Sequence, residues 1–549
     1  MREYRVRETR HERLLEHLLL TRDVGEEAFS AFLEPDYVRD SHDPFLLPDM
    51  AAAVERLHKA KVDGETVAVW SDYDADGVPG GVMLSQLLRM LGFVVIHYIP
   101  HRHEEGFGLN NGGIDKLAAQ GTKLIITIDC GTSDVEPVAH ARTRGVDVII
   151  TDHHEQPPVL PQALVVNPKL HGAQYPFTGL CGSGVAWKLA QAYLTKYRPD
   201  TFADGQEKWF LDLVGIATLS DRVPLVGENR MLAKFGLTVL RRGRRPGLAA
   251  LLKLLRINAA TLTEDDIGFM ISPRLNAASR MDTPELAARL LATDTETEAY
   301  ALARELDAIN TERKTVVATT VKEVNKRLAT HDVESPVIVM GSPAWRPGVL
   351  GLVASSLSDT HGKPVFLWGR EGGELLRGSC RSNGVSVVEL MEGAREVFED
   401  YGGHHASGGF SLPLERAHLL NDHLTKSFIQ LASKPVEQEP TWIDRQLSLG
   451  ELRPALRDLN KLAPFGEGNR KPLFVFPNAV IGNVKVFGKQ QNHLDIALTQ
   501  GSDTTAGIAF FSTPDSFTKK VAAGERADII GHVELDWRNK PRVRIVDIV

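Results

Sequence analysis

Apolar runs alternate with helical segments between residues 63 and 158, and each run is short and rich in β-branched residues. This alternation is typical of parallel strands that carry helices on the faces of their sheet. We therefore predict a parallel α/β sheet in this part of the chain. Its strand candidates are "ETVAVW" (65–70), "FVVIHYI" (93–99), "TKLIITID" (122–129) and "VDVIITD" (146–152).

The pattern changes twice further along the chain. Segment 295–329 is apolar on one face and opens with a capping box from Thr295 to Glu298, which predicts one long helix that connects two lobes. A second α/β unit follows, with "PVIVMG" and "PVFLWG" as strands and then a glycine-histidine loop. After residue 440 short strands recur at regular spacing, which predicts an all-β barrel of the oligonucleotide-binding (OB) type or a sandwich.

A chain of 549 residues exceeds what one hydrophobic core usually supports, so we expect several domains. The predicted fold class is α/β, with two α/β lobes joined by a long helix and a C-terminal OB-like β-barrel. The first lobe is expected to be a parallel-sheet domain. The expected boundaries are 1–45 for an N-terminal segment, 46–230 for the first lobe, 231–332 for the helical connector, 333–432 for the second lobe and 433–549 for the barrel.

Composition is that of an ordinary globular protein, with 43% hydrophobic and 24% charged residues. No apolar stretch reaches the length of a membrane span and the N-terminal stretch lacks a signal-peptide core, so we expect a cytoplasmic protein without a membrane partner. Cys130, Cys181 and Cys380 are too scattered to indicate a disulfide framework or a thiolate zinc site. The net charge of −8 neither indicates nor excludes nucleic acid, because local basic tracks govern that binding.

Three of the predicted strands end in clusters of acidic residues or histidines. The carboxyl ends of parallel strands line one rim of an open sheet, so clusters far apart in sequence meet there. Asp74, Asp76 and Asp129 with an adjacent histidine pair form a mixed oxygen and imidazole set, which suits Mn²⁺, Mg²⁺ or Zn²⁺ better than Ca²⁺. So many carboxylates indicate two metals and a bridging ligand, for which Asp129 is the candidate. The clusters are "SDYDADG" (71–77), "DCGTSD" (129–134) and "DHHEQ" (152–156).

Two other interpretations of the first cluster are weaker. Asp72, Asp74, Asp76 and Gly77 occupy the first, third, fifth and sixth places of an EF-hand calcium loop, but Met83 stands where that loop needs a bidentate glutamate. The residues before the cluster form a β-branched run where an EF-hand needs a helix. An ordinary turn is the second alternative, yet three crowded carboxylates repel one another unless a cation neutralises them.

The order and spacing of these motifs resemble those of the DHH phosphoesterase superfamily, and further motifs resemble its RecJ family of single-strand-specific exonucleases. The resemblance runs from about residue 63 to the end of the sequence. Small departures are Ser220 before the aspartate of the fourth motif, Ser279 where glycine is common, and Trp70 where some relatives have histidine. The motifs are "DYDADG", "IDCG", "DHH" and "LSDRVPL", together with "LCGSGVAWKL", "SPRLNAASRMD", "WRPGVLGLVASSL", "GSCRS", "GGHHASGG" and "LAPFGEGN".

The resemblance implies a centre with two ions of Mn²⁺ or Mg²⁺ that hydrolyses phosphodiesters. His154 is expected to face the substrate as a hydrogen-bond donor or acid, while Asp152 orients an imidazole without binding metal itself. The expected ligands are Asp76, Asp129, His153 and Asp221 for one ion and Asp74, Asp129 and Asp72 for the other, and the expected catalytic residues are Asp129, His153 and His154.

The resemblance also implies how nucleic acid is held. By residue type alone, Arg102 is a solvated loop residue and Ser379 and Arg381 only close a strand. With the resemblance, these three residues are expected to form a pocket for a 5′-phosphate. For Asn276, packing of the connector helix is an equally good alternative. Residues expected to contact the strand elsewhere are Arg274, Asn276, Arg280 and His404.

Basic and aromatic residues interleave in the predicted barrel, which fits a domain that binds single strands by stacking and phosphate attraction. Core packing is the alternative for Phe487. The partners implied are single-stranded DNA, a single-strand-binding protein and a helicase, and the chain is expected to be a monomer. The interleaved residues are Lys485, Phe487, Lys489, His493, Trp537, Arg538, Lys540, Arg542 and Arg544.

The resemblance thus implies a metal-dependent 5′-to-3′ exonuclease that degrades single-stranded DNA to mononucleotides in recombination and DNA repair. Two alternatives stay open. A phosphodiesterase for short oligonucleotides or cyclic dinucleotides is disfavoured because such small substrates need neither an OB-like tail nor a long connecting helix. A non-catalytic DHH scaffold that only binds DNA is disfavoured because a dead site has no reason to retain the mutually repelling Asp74, Asp76, Asp129 and Asp221.

Overall fold

The computed structural model describes residues 3–281, 283–330, 335–370, 374–432, 440–488, 491–536 and 538–549. The chain divides into two compact units. The larger unit comprises residues 43–221 and 235–437, and the smaller unit comprises residues 1–42, 222–234 and 438–549.

Strands and helices alternate in the larger unit, whereas strands dominate the smaller one. The described strands are β1 (Tyr4–Val6), β2 (Thr66–Ser71), β3 (Val94–Tyr98), β4 (Thr122–Ile128), β5 (Asp147–Thr151), β6 (Leu164–Val166), β7 (Ile338–Gly341), β8 (Val365–Gly369), β9 (Leu375–Arg381), β10 (Asp400–His404), β11 (Ser407–Pro413), β12 (Thr441–Ile443), β13 (Arg445–Gln446), β14 (Phe474–Phe487), β15 (His493–Gln500), β16 (Asp503–Phe510), β17 (Arg526–Leu535) and β18 (Pro541–Ile548). The described α-helices are α1 (Leu14–Leu20), α2 (Phe29–Leu33), α3 (Met50–Val62), α4 (Gly77–Met90), α5 (Asn111–Ala119), α6 (Val135–Thr143), α7 (Gly182–Tyr197), α8 (Leu211–Ser220), α9 (Gly227–Leu240), α10 (Pro246–Leu255), α11 (Glu264–Asp266), α12 (Ser272–Arg280), α13 (Pro284–Ala292), α14 (Glu296–Thr330), α15 (Pro347–His361), α16 (Val387–Glu392), α17 (Leu420–Ala432) and α18 (Leu452–Leu462).

The first lobe of the larger unit is built on a parallel sheet with the strand order β3-β2-β4-β5-β6. The four predicted strands are confirmed as β2 to β5. Ala68, Ile125 and Ile150 pack with residues of α5 and α6 on one face, and α4 and α7 cover the other face. Strands buried on both faces need no polar alternation, which is why their sequences are continuous apolar runs. The sequence analysis missed β6, whose three residues are too short to form a recognisable run.

The second lobe has a five-stranded sheet with the order β10-β11-β9-β8-β7. β7 and β8 are parallel, as predicted for an α/β unit, whereas the other neighbouring pairs are antiparallel. The glycine-histidine loop is the tight hairpin between β10 and β11. Leu350 and Val353 of α15 pack against Leu367 of β8 in a buried cluster.

The predicted connecting helix is confirmed as α14, which spans 35 residues. Its N-terminal half buries Leu302 and Leu306 where α10, α12 and α13 pack on it. Its C-terminal half buries Val324 against the apolar cluster of the second lobe. At its start, Glu298 accepts a hydrogen bond from Thr293 Oγ1 (2.7 Å). The capping partner of Glu298 is therefore Thr293, not the Thr295 expected from the sequence.

In the smaller unit, β14 to β18 form a closed barrel. The strand order is β14-β15-β16-β18-β17, and β14 also pairs with β17, which joins the two edges. β14 can pair on both sides because it bends at irregularities between Phe476 and Ala479 and between Ile481 and Val484. Closure confirms the OB-like barrel rather than the sandwich.

The N-terminal segment belongs to the same unit as the barrel, which the sequence did not indicate. β1 pairs in parallel with β12, and Leu18 and Leu19 are fully buried in the apolar cluster of the barrel. The preceding residue, His17, has a buried imidazole. Its Nδ1 accepts a hydrogen bond from Arg10 N (3.2 Å), and its Nε2 donates one to Asp444 O (2.7 Å). Burial lowers the pKa of His17, which keeps this linking imidazole neutral.

Among the described residues, no helix combines the length and the apolar character that crossing a membrane requires. The domain boundaries expected from the sequence stay predictions.

One buried ion pair fixes how several helices of the larger unit meet. Arg245, just before α10, donates hydrogen bonds to both carboxylate oxygens of Asp212 in α8 (2.8 and 3.2 Å). The same guanidinium donates to Gln86 Oε1 in α4 (3.0 Å) and to Leu291 O in α13 (2.6 Å). Four helices therefore depend on one side chain.

We expect Arg245→Ala to lower the free energy of unfolding by about 3–5 kcal/mol, because it leaves the buried Asp212 carboxylate without its counter-charge. Denaturant unfolding followed by circular dichroism measures this loss. The double variant Arg245→Ala/Asp212→Asn should recover part of it, since the uncompensated charge is then removed. Exposed ion pairs contribute less than about 1 kcal/mol. A loss of that size in the single variant would therefore show that the Arg245–Asp212 pair behaves as an exposed one.

Candidate active site

The rim of the first-lobe sheet gathers the acidic and histidine clusters. Asp72 directly follows β2, Asp129 follows β4 and Asp152 follows β5, and these three strands are neighbours in the sheet. Because the strands are parallel, their carboxyl ends lie at one rim. Residues far apart in sequence are thereby brought together.

The imidazole of His153 lies among carboxylates from three other segments. Its Nε2 is 3.1 Å from Asp129 Oδ1, 3.6 Å from Asp221 Oδ2 and 3.9 Å from Asp76 Oδ2. Asp221 reaches the rim from the C-terminal end of α8. The structure therefore brings together the four side chains expected to hold the first metal ion.

Asp129 belongs to a second group as well. Its carboxylate and those of Asp72 and Asp74 have oxygens within 4.8 Å of one another. Membership of both groups is the geometry that a bridging carboxylate needs. Asp129, His153 and His154 also have ligand atoms within 4.8 Å of one another, so His154 lies within reach of a metal. The sequence analysis gave His154 only a role towards the substrate.

Backbone amides hold these carboxylates against their mutual repulsion. Asp76 accepts hydrogen bonds from Gly182 N (2.7 Å) and Ser183 N (2.8 Å) at the start of α7, where the helix dipole favours negative charge. Asp74 accepts from Asp76 N (2.8 Å) and Gly77 N (3.1 Å) through Oδ1 alone. Both carboxylates are thus fixed in place by groups that carry no net charge.

Asp129 is held in a strained position. Its φ of 64° lies in the left-handed region, which costs a non-glycine residue about 1 kcal/mol. A side chain at position 182 would collide with Asp129, so the glycine there is required. Asp129 Oδ1 and Asp72 Oδ1 are buried and have no hydrogen-bond partner. Buried polar atoms are rarely left in this state, and a cation satisfies both.

Electrostatics at the rim also fit a pair of cations. Burial, reinforced by the neighbouring carboxylates, raises the pKa of Asp129 and Asp72 far above the usual range, that of Asp76 to about 6 and that of Asp221 to about 8. Burial lowers the pKa of His153 to about 4, which leaves a neutral imidazole able to bind metal. The residues present therefore fit two divalent ions.

Asp152 orients the histidine pair. Its Oδ1 accepts hydrogen bonds from His154 Nδ1 (2.7 Å) and from His153 N (2.7 Å), and its Oδ2 accepts from Thr132 N (3.0 Å). Burial alone lowers the pKa of His154, but the hydrogen bond to Asp152 and the nearby carboxylates raise it to about 9. Because Nδ1 is engaged, Nε2 is the end of this imidazole that faces a ligand.

A cleft of about 1060 Å³ opens beside the rim, between the two lobes of the larger unit. Arg102 lines it from the first lobe, with its guanidinium 4.7 Å from the ring centre of Tyr73, and Ser379 of β9 lines it from the second lobe. Arg381 is two residues further along β9, so its side chain leaves the same face of the sheet. Its guanidinium donates to Cys380 O (2.7 Å) and packs against Gly351 of α15.

Helix α12 carries three of the four residues expected to contact the DNA strand, and these residues differ in their surroundings. Asn276 Oδ1 accepts a hydrogen bond from Ala75 N (2.7 Å) in the loop between Asp74 and Asp76. Arg280 donates to Gly348 O of the second lobe (3.0 Å). Burial, with Arg102, Arg313 and Arg381 nearby, lowers the pKa of Arg280 to about 9.

Arg274 and His404, the other two residues expected to contact DNA, do not lie with Asn276 and Arg280 beside the rim. Arg274 is paired with Asp307 of α14 (2.8 Å) and donates to Met270 O (2.6 Å), so its guanidinium is already engaged. His404 is exposed at the end of β10, and no described contact joins its imidazole to the carboxylate cluster. Their roles stay predictions.

Comparisons with known proteins identify the family of this chain. Family models match residues 66–218 (DHH family, N-terminal domain), 334–430 (DHHA1 domain) and 443–546 (RecJ OB domain). The single-stranded-DNA-specific exonuclease RecJ of Escherichia coli (strain K12) is 32% identical over 508 residues, which cover 88% of this chain and 88% of that protein. This chain belongs to the RecJ family.

Other RecJ proteins extend the comparison. RecJ of Bacillus subtilis (strain 168) is 34% identical over 519 residues, which cover 92% of this chain but only 64% of that longer protein. The crystal structure of RecJ from Thermus thermophilus in complex with Mn²⁺ has a TM-score of 0.81 and 28% identity, and covers 100% of this chain and 79% of that one. The complex of the same protein with Mg²⁺ has a TM-score of 0.75. The RecJ fold is thereby confirmed.

Sequence reasoning missed several residues of this RecJ-family site. The amides of Gly182 and Ser183 lie in "LCGSGVAWKL", whose glycines at the start of a helix were the available signal. Asn167 Nδ2 donates to His154 O (2.9 Å) and to Thr132 Oγ1 (3.2 Å), which no local pattern indicates. Phe107 is 53% exposed and its ring meets that of His154 edge-on, so it is an aromatic surface at the centre itself.

We expect the metal-free Asp129→Asn protein to be at least as stable as the wild type, because the amide replaces a buried carboxyl whose charged form is disfavoured by burial and by the neighbouring carboxylates. Asparagine also tolerates the left-handed backbone at this position. The variant should lose the stabilisation that Mn²⁺ is expected to give the wild type.

Thermal unfolding with and without Mn²⁺ measures both effects on stability. The exposed Asp200→Asn is the matched control and should change neither. If the metal-free Asp129→Asn protein is less stable than the wild type, repulsion between the rim carboxylates is not the main effect of Asp129 on stability.

Proposed function

We propose that this chain is a Mn²⁺- or Mg²⁺-dependent exonuclease that degrades single-stranded DNA from the 5′ end to mononucleotides. The observation that carries the proposal is Asp129, which joins two groups of metal-binding side chains in a chain of the RecJ family. Two divalent ions at such a site supply an activated water and stabilise the charge that develops on a phosphodiester.

The surrounding residues have separable roles in this proposal. Asp76, Asp221 and His153 hold one ion, Asp72 and Asp74 hold the other, and Asp129 is shared. Asp152 fixes the ring of His154, whose Nε2 donates a hydrogen bond or a proton to an oxygen of the scissile phosphate. Phe107, edge-on to His154, offers an apolar surface to the base beside that phosphate.

We propose that Arg102, Ser379 and Arg381 bind the 5′-phosphate. Among the described residues, no carboxylate forms an ion pair with Arg102, Arg280 or Arg381. Burial and the neighbouring Arg102 lower the pKa of Arg381, so these cations destabilise one another until an anion binds. A terminal phosphate is such an anion, and arginine recognises it through paired hydrogen bonds.

The barrel is proposed to bind single-stranded DNA as well. Lys485, Lys540 and Arg453 line one groove of about 750 Å³, which Asp495, Asp503 and Asp536 also line. The exposed Phe510 and Phe511 lie at and just after the end of β16. Not every basic residue expected here is available, because Arg542 is paired with Glu534 (2.6 Å) and Arg544 also approaches it (3.7 Å). Phe487 packs on His493. Lys489 and Trp537, also expected to bind DNA, lie outside the described residues.

We further propose a role in recombination and repair, in the cytoplasm where chromosomal DNA is exposed in bacteria. A single-strand-binding protein and a helicase are the proposed partners, since both present or generate the substrate. The protein is proposed to act as a monomer.

Matched oligonucleotides labelled at the 5′ or the 3′ end test the reaction. With Mn²⁺, the 5′ label should leave as a mononucleotide while the 3′ label runs as a ladder, and the corresponding duplex should be spared. Asp129→Asn should be inactive. Cleavage of dinucleotides alone would instead support a short-substrate hydrolase, and no cleavage at all would support a binding scaffold.

We expect Arg381→Ala to reduce the preference for 5′-phosphorylated over 5′-hydroxyl ends by about tenfold, the effect of losing one charge-assisted hydrogen bond. Steady-state rates on the two substrates measure the ratio. Arg395→Ala, an exposed arginine of the same lobe, is the matched control. Equal losses on both ends would assign Arg381 a role in folding instead.

A further inference from the structure

The position of Arg102 depends on a segment without regular secondary structure. Arg102 lies in the connection between β3 and α5, hereafter the rim loop (residues 101–110), which also carries Phe107. A loop contributes to recognition only when its backbone is held, because an unheld loop loses conformational entropy on binding. The contacts that hold the rim loop are therefore part of the recognition of the DNA end.

The far end of the rim loop is held by Asp134. This residue occupies the N-cap position of α6, where an aspartate usually accepts a hydrogen bond from its own helix. Its side chain makes no such bond. Instead its Oδ2 accepts a hydrogen bond from Leu109 N (2.7 Å). The carboxylate thus gives up local capping and binds the loop.

The fit between Asp134 and the rim loop is close. Gly108 has a φ of 79°, and a Cβ at this position would lie 2.5 Å from Asp134 Oδ2. Glycine is required there both for the left-handed backbone and for the approach of the carboxylate. The loop therefore passes over Asp134 in one defined path.

The near end of the rim loop is held by Glu105. Its Oε2 accepts a hydrogen bond from His101 N (2.7 Å). Its Oε1 accepts from Tyr98 Oη at the end of β3 (2.5 Å) and from Lys116 Nζ in α5 (2.9 Å). These bonds tie the start of the loop to the strand before it and the helix after it.

We propose that Asp134 and Glu105 form a clamp that positions Arg102 for the 5′-phosphate. Neither carboxylate is assigned a contact with DNA or metal, so both are positioning residues. Selection of phosphorylated ends then depends on two acidic side chains that would repel DNA if they were free. This inference rests on the proposed function of Arg102.

The test compares Asp134→Ala with Asp134→Asn, which keeps an oxygen acceptor for Leu109 N. For each variant, kcat and KM are measured on 5′-phosphorylated and 5′-hydroxyl single-stranded DNA with Mn²⁺. Asp134→Ala should lower the ratio of kcat/KM between the two ends by about fivefold, mainly through KM, as expected for one lost hydrogen bond. Asp134→Asn should stay within about twofold of the wild-type ratio, because that hydrogen bond is kept.

Two further variants keep the result decisive. Gly108→Ala keeps Asp134 in the chain but places a Cβ against its carboxylate, which displaces the same loop. It should therefore reproduce the Asp134→Ala ratio even if Asp134→Ala fails to fold. Arg102→Ala is the reference and should lower the ratio at least as much. An unchanged ratio in Arg102→Ala would overturn the phosphate pocket and the clamp with it. If only Arg102→Ala lowers the kcat/KM ratio, the phosphate pocket stands and the clamp is overturned. The clamp is also overturned if Asp134→Ala loses activity equally on 5′-phosphorylated and 5′-hydroxyl DNA.

Discussion

Repulsion between buried carboxylates is the constraint on which the first lobe depends. Asp72, Asp76, Asp129 and Asp221 are brought to one rim although burial and proximity raise the pKa of each and so disfavour its charged form. Uncharged backbone donors oppose this repulsion in the protein, and cations would relieve it. A helix start rich in glycine, at position 182, is what allows the backbone to approach so closely. Divalent cations bound at this rim would therefore stabilise the fold by removing the repulsion.

The sequence predicts the parts of this site that follow from local pattern. Asp72, Asp129 and Asp152 are predictable because buried parallel strands have a recognisable composition and because their ends must meet. Asp221 comes from the end of a helix, whose direction is set by packing, so only the family resemblance indicated it. Arg274 and Arg280 show the remaining gap. They lie on one helix, yet one is neutralised by Asp307 and the other is not, and no local pattern distinguishes them.

Helix α12 links the chemistry to the arrangement of the lobes. Near its middle, Asn276 binds the backbone between two metal-site aspartates, and at its end Arg280 binds the second lobe at Gly348. The two contacts are about one helical turn apart, roughly 6 Å along the axis. One short helix therefore contacts both the carboxylate loop and the second lobe.

The smaller unit brings together residues from the two ends of the sequence. Tyr4 Oη donates a hydrogen bond to Asp547 Oδ2 (2.9 Å), across a separation of 543 positions. Leu18 and Leu19 are buried in a cluster whose other fully buried members all come from residues after 440. On the ribosome, these leucines emerge long before the strands that bury them, and exposed apolar side chains of this kind are what chaperones bind. The nascent protein thus carries an unfinished interface throughout translation, while the larger unit has every residue it needs before the barrel is made.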